Sequence, residues 1–516
     1  MKEKKLLKLL YIPLDERPCN LNFPQKIASI RNDVELIAPS KKLLGDKRKP
    51  AVVNKLWDFV NEKIVEADAA ILSLDMLVYG GLIPSRLHKL TIEEAEESLN
   101  KIEKLKSLNR KIKIYAFSCI MRAPQYNSSE EEPDYYEEYG FRLFRRKYLL
   151  DKRDRTGITP GEEEEINSIN IPLEILQDYE ERRLFNEEIN LKVVELVEKG
   201  IIDFLVIPQD DSSEFGYTAI SQKRVISYVK EKKLEMQVNI YPGADEVGST
   251  LMARAFNDYH NRTLKVYPFF SSTLGPQIVP LYEDRPMAES LKYHVRAMGG
   301  EIVDTIDEAE VALAINSPGK VMEESPNQDK GVDLTYSSHR NLFDFVMRIK
   351  SYIEGGHRVA LCDSAFANGG DLELIDYLDR LDLIDKLSAY AGWNTNCNTL
   401  GTVLSTSALC TPIINIEEIN KYKLVENLIY RIVEDSFYQA RVRGRITEEF
   451  LPKEGISYYA FAGKQMLVEE AIKEKLINEY NKLKMSSLYP VIIEKVSMPW
   501  RRMFEIGMDL RIIIKC

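Results

Sequence analysis

The sequence predicts an α/β protein of parallel-sheet architecture, with two doubly wound Rossmann-like halves followed by a mainly helical C-terminal region. Three observations carry this. Short β-rich apolar runs alternate with amphipathic stretches along the chain. Most of those runs lack polar alternation, as strands covered by helices on both faces do. Two strand–turn–helix units also echo each other in sequence.

The strand-like runs fall at 8–13, 35–38, 69–74, 112–117, 204–208, 238–241, 266–270, 311–315, 359–362 and 387–390. Helical patterns separate them, for example at 52–66, 92–105, 187–199 and 340–354. The segment 128–183 breaks the rhythm: it is dense in charge, with acidic runs at 130–132 and 162–165 and no strand-like run. It reads as a solvated helical insertion or as a lid over a site. After about 415, the patterns at 416–443 and 464–484 are helical, and 491–496 with 510–514 are strand-like. The expected domains are therefore 1–262, carrying the insertion, then 263–415, then 416–516.

The echo pairs 66–75 with 308–317, and 241–250 with the stretch that begins at Tyr390. Two similar halves explain it, although all α/β units share one broad pattern. Ten strand candidates exceed the eight of a (β/α)-barrel, which is the competing architecture.

Composition narrows the function. The 516 residues are 44% apolar and 29% charged, enough for a large core, and at about 150 residues per domain suggest two to four domains. Lys and Arg number 70 against 81 Asp and Glu, a net charge of −11. That balance argues against nucleic-acid or anionic-membrane partners, which select for cationic surfaces. No apolar run has the length of a membrane span, and the start lacks a secretory signal, so a cytoplasmic location is expected. The six cysteines, at 19, 119, 362, 397, 410 and 516, show no C-x-x-C spacing. The five histidines form no H-x-x-x-H or H-E-x-x-H pattern. With no phosphate-loop, dinucleotide or G-x-S-x-G motif, no cofactor and no histidine-based metal site are expected. Acid–base chemistry falls to carboxylates.

In parallel α/β folds, ligands meet the chain just past the carboxyl ends of strands. The segments there are PLDERPCN (13–20), DMLVYGGLIPSR (75–86), QDDSSEFG (209–216), GADE (243–246) and AGWNTNCNTLGT (391–402). Together with MPWRRMFE at 498–505, these blocks resemble the signature of a bacterial family of unknown function, over nearly the whole chain. The resemblance implies no mechanism, so the chemistry must come from the residues themselves.

Asp210 and Asp211 are the sharpest feature. A sharp turn converges adjacent carboxylates, and two close carboxylates raise one pKa, giving an acid near neutrality. Such a pair suits glycosidic cleavage; alternatively Asp210 caps the helix that begins near Tyr217. Asp15, Asp75, Asp245, Glu246 and Asp363 also follow strands, as does Tyr79 beside two glycines. Trp393 with Asn394 and Asn396 offers an aromatic face and amides for a sugar ring, or else a core tryptophan with turn and cap residues. Arg17, Arg86 and Arg122 could grip an anion or neutralise buried aspartates.

The expected function is a carbohydrate-active hydrolase with a small-molecule or oligosaccharide substrate, in which Asp210 and Asp211 are catalytic. The alternatives are a magnesium- or manganese-dependent hydrolase or lyase using Asp15, Asp75, Asp210, Asp245 and Asp363, and a non-catalytic sugar or anion receptor. The sequence leaves the oligomeric state open.

Overall fold

A computed structural model describes residues 6–413 and 418–513. The start of the chain, the first residues of the helix expected from 416, the end of the strand expected to reach Ile514, and Cys516 lie outside the described residues.

Two open parallel sheets form the body. The first holds β1 (Leu7–Ile12), β2 (Val34–Ile37), β3 (Ala69–Ser73), β4 (Lys113–Phe117), β5 (Phe204–Gln209) and β6 (Val238–Pro242). Its order is β2-β1-β3-β4-β5-β6. The second holds β7 (Leu264–Phe270), β8 (Gly300–Ile302), β9 (Val311–Asn316), β11 (Val359–Asp363) and β13 (Ala389–Ala391), in the order β13-β11-β9-β7-β8. Read from its β8 edge, the second sheet repeats the 2-1-3-4-5 winding of the first, which is the doubly wound arrangement with its strand-order switch beside the first strand. Both sheets end in free edges, so the barrel alternative does not apply.

All ten sequence-predicted strands are present. Three were not predicted: β8, and the paired dipeptides β10 (Glu323–Glu324) and β12 (Phe366–Ala367). Runs of two or three residues are too short to show any periodicity. β3, β5, β6, β9, β11 and β13 are buried at every residue, the sheet edges β6 and β13 included, whereas the other two edge strands, β2 and β8, are not. That difference is why the fully buried runs read as mostly apolar sequence.

The echoing units explain how the sheets join. The helix Val247–Tyr259 follows β6, the helix Asn396–Cys410 follows β13, and the two pack against each other inside one continuous core. All fifteen residues of Asn396–Cys410 are buried despite its many hydroxyls. Ser405, Thr406 and Ser407 donate to carbonyls one turn back, at 2.5, 2.8 and 2.7 Å, so no hydroxyl of these three is buried unpaired.

The charged insertion is helical, in Tyr136–Thr156, Pro160–Ser168 and the start of Leu173–Glu198. Beyond the second sheet, the helix Lys421–Arg431 widens into π-type turns over Ile432–Val442. A further helix, Gln465–Tyr480, leads to an antiparallel hairpin of β14 (Val491–Ser497) and β15 (Gly507–Ile512). The hairpin connection, 498–506, reaches back to the strand ends of the first sheet.

Candidate functional site

A cavity of about 220 Å³ opens at the carboxyl ends of the first sheet's strands. Arg17, Arg122, Asp210, Asp211 and Asp245 line it together with Tyr126, Tyr282, Tyr459, Asn368, Asn394, Glu131 and Arg502. Segments far apart in sequence, from Arg17 to Arg502, meet there.

The loop after β1 supplies Asp15 and Arg17. The Arg17 backbone N–H donates to Asp15 Oδ1 at 3.0 Å, which sets the turn into the helix Pro18–Ala28. Its guanidinium donates to Asp15 Oδ2 from Nε (2.9 Å) and Nη2 (2.7 Å), and to Asp245 from Nη1 (3.1 Å) and Nη2 (2.5 Å). Asn20 Nδ2 bridges the same two aspartates at 3.0 and 2.9 Å, tying the β1 and β6 loops together.

The loop after β5 supplies the adjacent pair. Asp211 adopts φ +45°, a left-handed conformation uncommon for a residue with a Cβ. That sharp turn brings both carboxylates to the cavity, each about a quarter exposed at 26% and 25%. Asp210 Oδ2 accepts from Arg86 Nη2 at 3.0 Å and lies 3.7 Å from Arg122 Nη1, while Asp211 Oδ2 accepts from that same Nη1 at 3.0 Å. Asp210 is not a helix cap: Gly216 holds that position for Tyr217–Glu231 and makes no side-chain bond.

The charged insertion contributes the counter-ions. Glu132 Oε1 accepts from Arg86 Nη1 (3.0 Å) and Arg122 Nε (2.8 Å). Glu131 Oε2 accepts from Arg122 Nη2 at 2.9 Å, and its other oxygen from Arg502. From the hairpin connection, Trp500 packs against the guanidiniums of both Arg17 and Arg502, 4.5 and 4.6 Å from its ring centroid, and donates its indole N–H to Glu16 at 2.6 Å. Glu505 pairs with Arg502 at 3.3 Å and lies 3.9 Å from Arg17.

The carboxylates of Asp15, Asp210, Asp211, Asp245, Glu131, Glu132 and Glu505 outnumber the guanidiniums of Arg17, Arg86, Arg122 and Arg502. The excess shows in the pKa values. Burial, reinforced by the charge of Asp210, pushes Asp211 up to about 7. Burial likewise raises Glu505 to about 7 against the pull of Arg17 and Arg502, and raises Asp15 and Asp245 against Arg17. Glu131 goes the other way: burial alone would raise it, but Arg502, Arg122 and Arg86 together hold it well below the usual carboxylate range.

Of the sequence-predicted site residues, Asp15, Arg17, Arg86, Arg122, Asp210, Asp211, Asp245 and Asn394 gather here, with Asp15 and Arg86 beneath the lining. The others lie elsewhere. Asp75 sits in the first turn of the helix Leu74–Tyr79, accepts the Cys119 N–H at 3.0 Å, and is pushed by burial up to about 6. Tyr79, on the same helix, packs on His88 at 4.7 Å. Glu246 turns inward between helices and accepts from Thr250 Oγ1 at 2.5 Å, with His294 Nε2 at 3.2 Å. Asp363 belongs to the second sheet, where Asn316, Tyr390 and the Asp371 N–H donate to it at 2.9, 2.9 and 2.7 Å. Trp393 is buried edge-on to Phe23 at 5.4 Å and donates to Thr402 at 3.1 Å, which is the core-tryptophan alternative. Asn396 donates to Glu283 at 3.2 Å; that carboxylate also takes the Cys397 N–H at 2.6 Å and so closes the N-terminus of the buried helix. The five aspartates proposed as one metal-ligand set are thus split between two sheets, and Asp75 and Asp363 do not reach the cavity.

Sequence reasoning missed Glu131, Glu132, Tyr126, Tyr282, Tyr459, Asn368, Trp500, Arg502 and Glu505. The only signal for the last three was their place in the C-terminal block of 498–505.

Fold and site together define a two-sheet, doubly wound α/β protein with a carboxylate–guanidinium cleft at the strand ends of its first sheet. The chain belongs to the family described as "Protein of unknown function (DUF4127)", whose model matches residues 9–509. No curated protein matches it. Among solved structures, the carboxyl transferase domain from Rhizobium etli pyruvate carboxylase with 3-bromopyruvate is 8% identical, with a TM-score of 0.20. The alignment covers 94% of this chain and 62% of that one, so the chain spans less than two thirds of its length, and a likeness at that score bears on neither fold nor chemistry. No helix among the described residues is long and apolar enough to cross a membrane.

Proposed function

We propose that the protein is a hydrolase of a carbohydrate-type small molecule, with Asp211 as proton donor and Asp210 as the partner carboxylate. The observation that carries this reading is the turn at Asp211, which places two adjacent carboxylates on one cavity wall in different environments. Asp210 shares an oxygen between two guanidiniums, whereas Asp211 carries a pKa of about 7. Environments that separate the acidities of a carboxylate pair are what general acid catalysis beside a carboxylate requires. The rest of the cavity suits a polyhydroxylated ligand: the rings of Tyr126, Tyr282 and Tyr459 stand partly exposed at 48, 40 and 55%, and Asn368 and Asn394 add amides.

The test is a screen of the purified chain against aryl glycosides and reducing oligosaccharides, followed by Asp211→Asn and Asp210→Asn on whichever substrate turns over. Loss of a positioned proton donor predicts a fall in turnover of about 10²- to 10⁴-fold for Asp211→Asn in a chain that remains folded near neutral pH. Undiminished turnover in Asp211→Asn would remove the assignment.

A further inference from the structure

A second pocket, of about 330 Å³, lies on the other side of the helix Pro18–Ala28 from the residues that reach the cavity. That helix offers Asn22, Gln25, Lys26 and Ser29, spaced i, i+3, i+4 and i+7 and therefore on one face. A polar stripe of this kind usually faces open solvent. Here it is walled in by the helix Lys421–Arg431 and by the hairpin strands β14 and β15.

The wall is basic although the protein carries a net charge of −11. Four ammonium groups, from Lys26, Lys41, Lys423 and Lys495, meet two carboxylates, Glu426 and Asp509. Lys423 pairs with Glu426 at 2.7 Å. No carboxylate among the described residues makes an ion pair with Lys26, whose Nζ lies 4.3 Å from the centroid of the Tyr430 ring. Burial, opposed by the more distant Glu426 and Asp509, lowers the Lys26 pKa, the mark of a desolvated cation short of counter-charge. Lys495 follows a β-bulge after Ile493, a device that re-aims side chains at sheet edges.

We propose that this pocket binds a small polyvalent oxyanion, a phosphate or phosphate ester. Clustered ammonium groups act on phosphate as point charges, and amide donors from Asn22 and Gln25 stand beside them to complete its hydrogen bonding. A concave wall built from three elements concentrates the field on a ligand of that size. The pocket takes a free small anion rather than a lipid headgroup in a membrane plane, because its cations come from separate elements around a concavity rather than from one flat face.

Calorimetric titration of the full chain with pyrophosphate and with inorganic phosphate tests this. The expected result is one saturable site, tighter for pyrophosphate and weaker at higher ionic strength. Lys26→Met should weaken binding about tenfold, and Lys495→Glu, a charge reversal at an exposed position that spares the core, by more. A control variant, Lys104→Met with Lys111→Met, alters two exposed lysines remote from the pocket and should bind as wild type does. Absence of saturable binding, equal weakening by the control, or binding to phosphatidylglycerol vesicles without binding of free phosphate would each overturn the proposal.

Discussion

Asp211→Asn probes the electrostatics of the cleft without any substrate. The carboxyl ordinarily titrates near 3.8, and in the folded protein near 7, burial being the main cause and Asp210 the next. Between those values the folded chain keeps a proton that the unfolded chain has released. The unfolded state therefore binds fewer protons, and stability falls as pH rises through this window. The group's contribution is intact below about 4 and its loss is complete above about 7. The full shift of about three units corresponds to about 4 kcal/mol. Between about pH 5 and about pH 8 roughly two of those units are traversed, and discounting for the side chain's quarter exposure leaves an expected change of about 2 kcal/mol. The assay is denaturant unfolding of wild type and variant at both pH values and equal ionic strength. The difference between the two differences cancels pH-independent effects. The variant should gain about 2 kcal/mol on wild type on going to the higher pH. A pH-independent difference, or a gain by wild type, would show that Asp211 titrates as an ordinary or depressed acid, and would remove its role as a proton donor.

Four further substitutions test the packing. Arg86→Met takes from Glu132 and Asp210 one of the two buried guanidiniums they share, leaving only Arg122, and should cost about 3–5 kcal/mol in denaturant unfolding, whereas a cost below about 1 would contradict the network described. Gly401→Ala places a Cβ 2.3 Å from Glu246 Oε2 inside the inter-sheet helix contact, so a loss of about 1–3 kcal/mol is expected, while Gly444→Ala, which meets open space, should be neutral or mildly stabilising. Trp500→Ala removes the ring packed against Arg17 and Arg502 together with the bond to Glu16; a loss of about 3–5 kcal/mol by the same measurement is expected, and an unchanged midpoint would show that the hairpin connection is not anchored there.

Local sequence determined the elements. Runs such as 69–74 and 204–208 announce central strands because every side chain in them is buried, so no charged residue interrupts the apolar pattern. The echo between 66–75 and 308–317 falls on β3 and β9, the third strands of the two windings. Site membership was legible only in part. Asp210 and Asp211 could be singled out as adjacent carboxylates after a strand, and Asp15, Arg17 and Asp245 by the same rule. That rule could not separate them from Asp363, which also ends a strand, because strand position is local whereas sheet membership is not. Tertiary structure decided which strand ends share a hollow. It turned Glu246 inward, put Trp393 in the core, and brought Trp500 onto Glu16 across 484 residues. Contacts of that span leave no periodic trace in one sequence. They arise when the sheets pack and the hairpin connection crosses the strand ends, and buried charges must then find their counter-ions among whatever the packing has brought near.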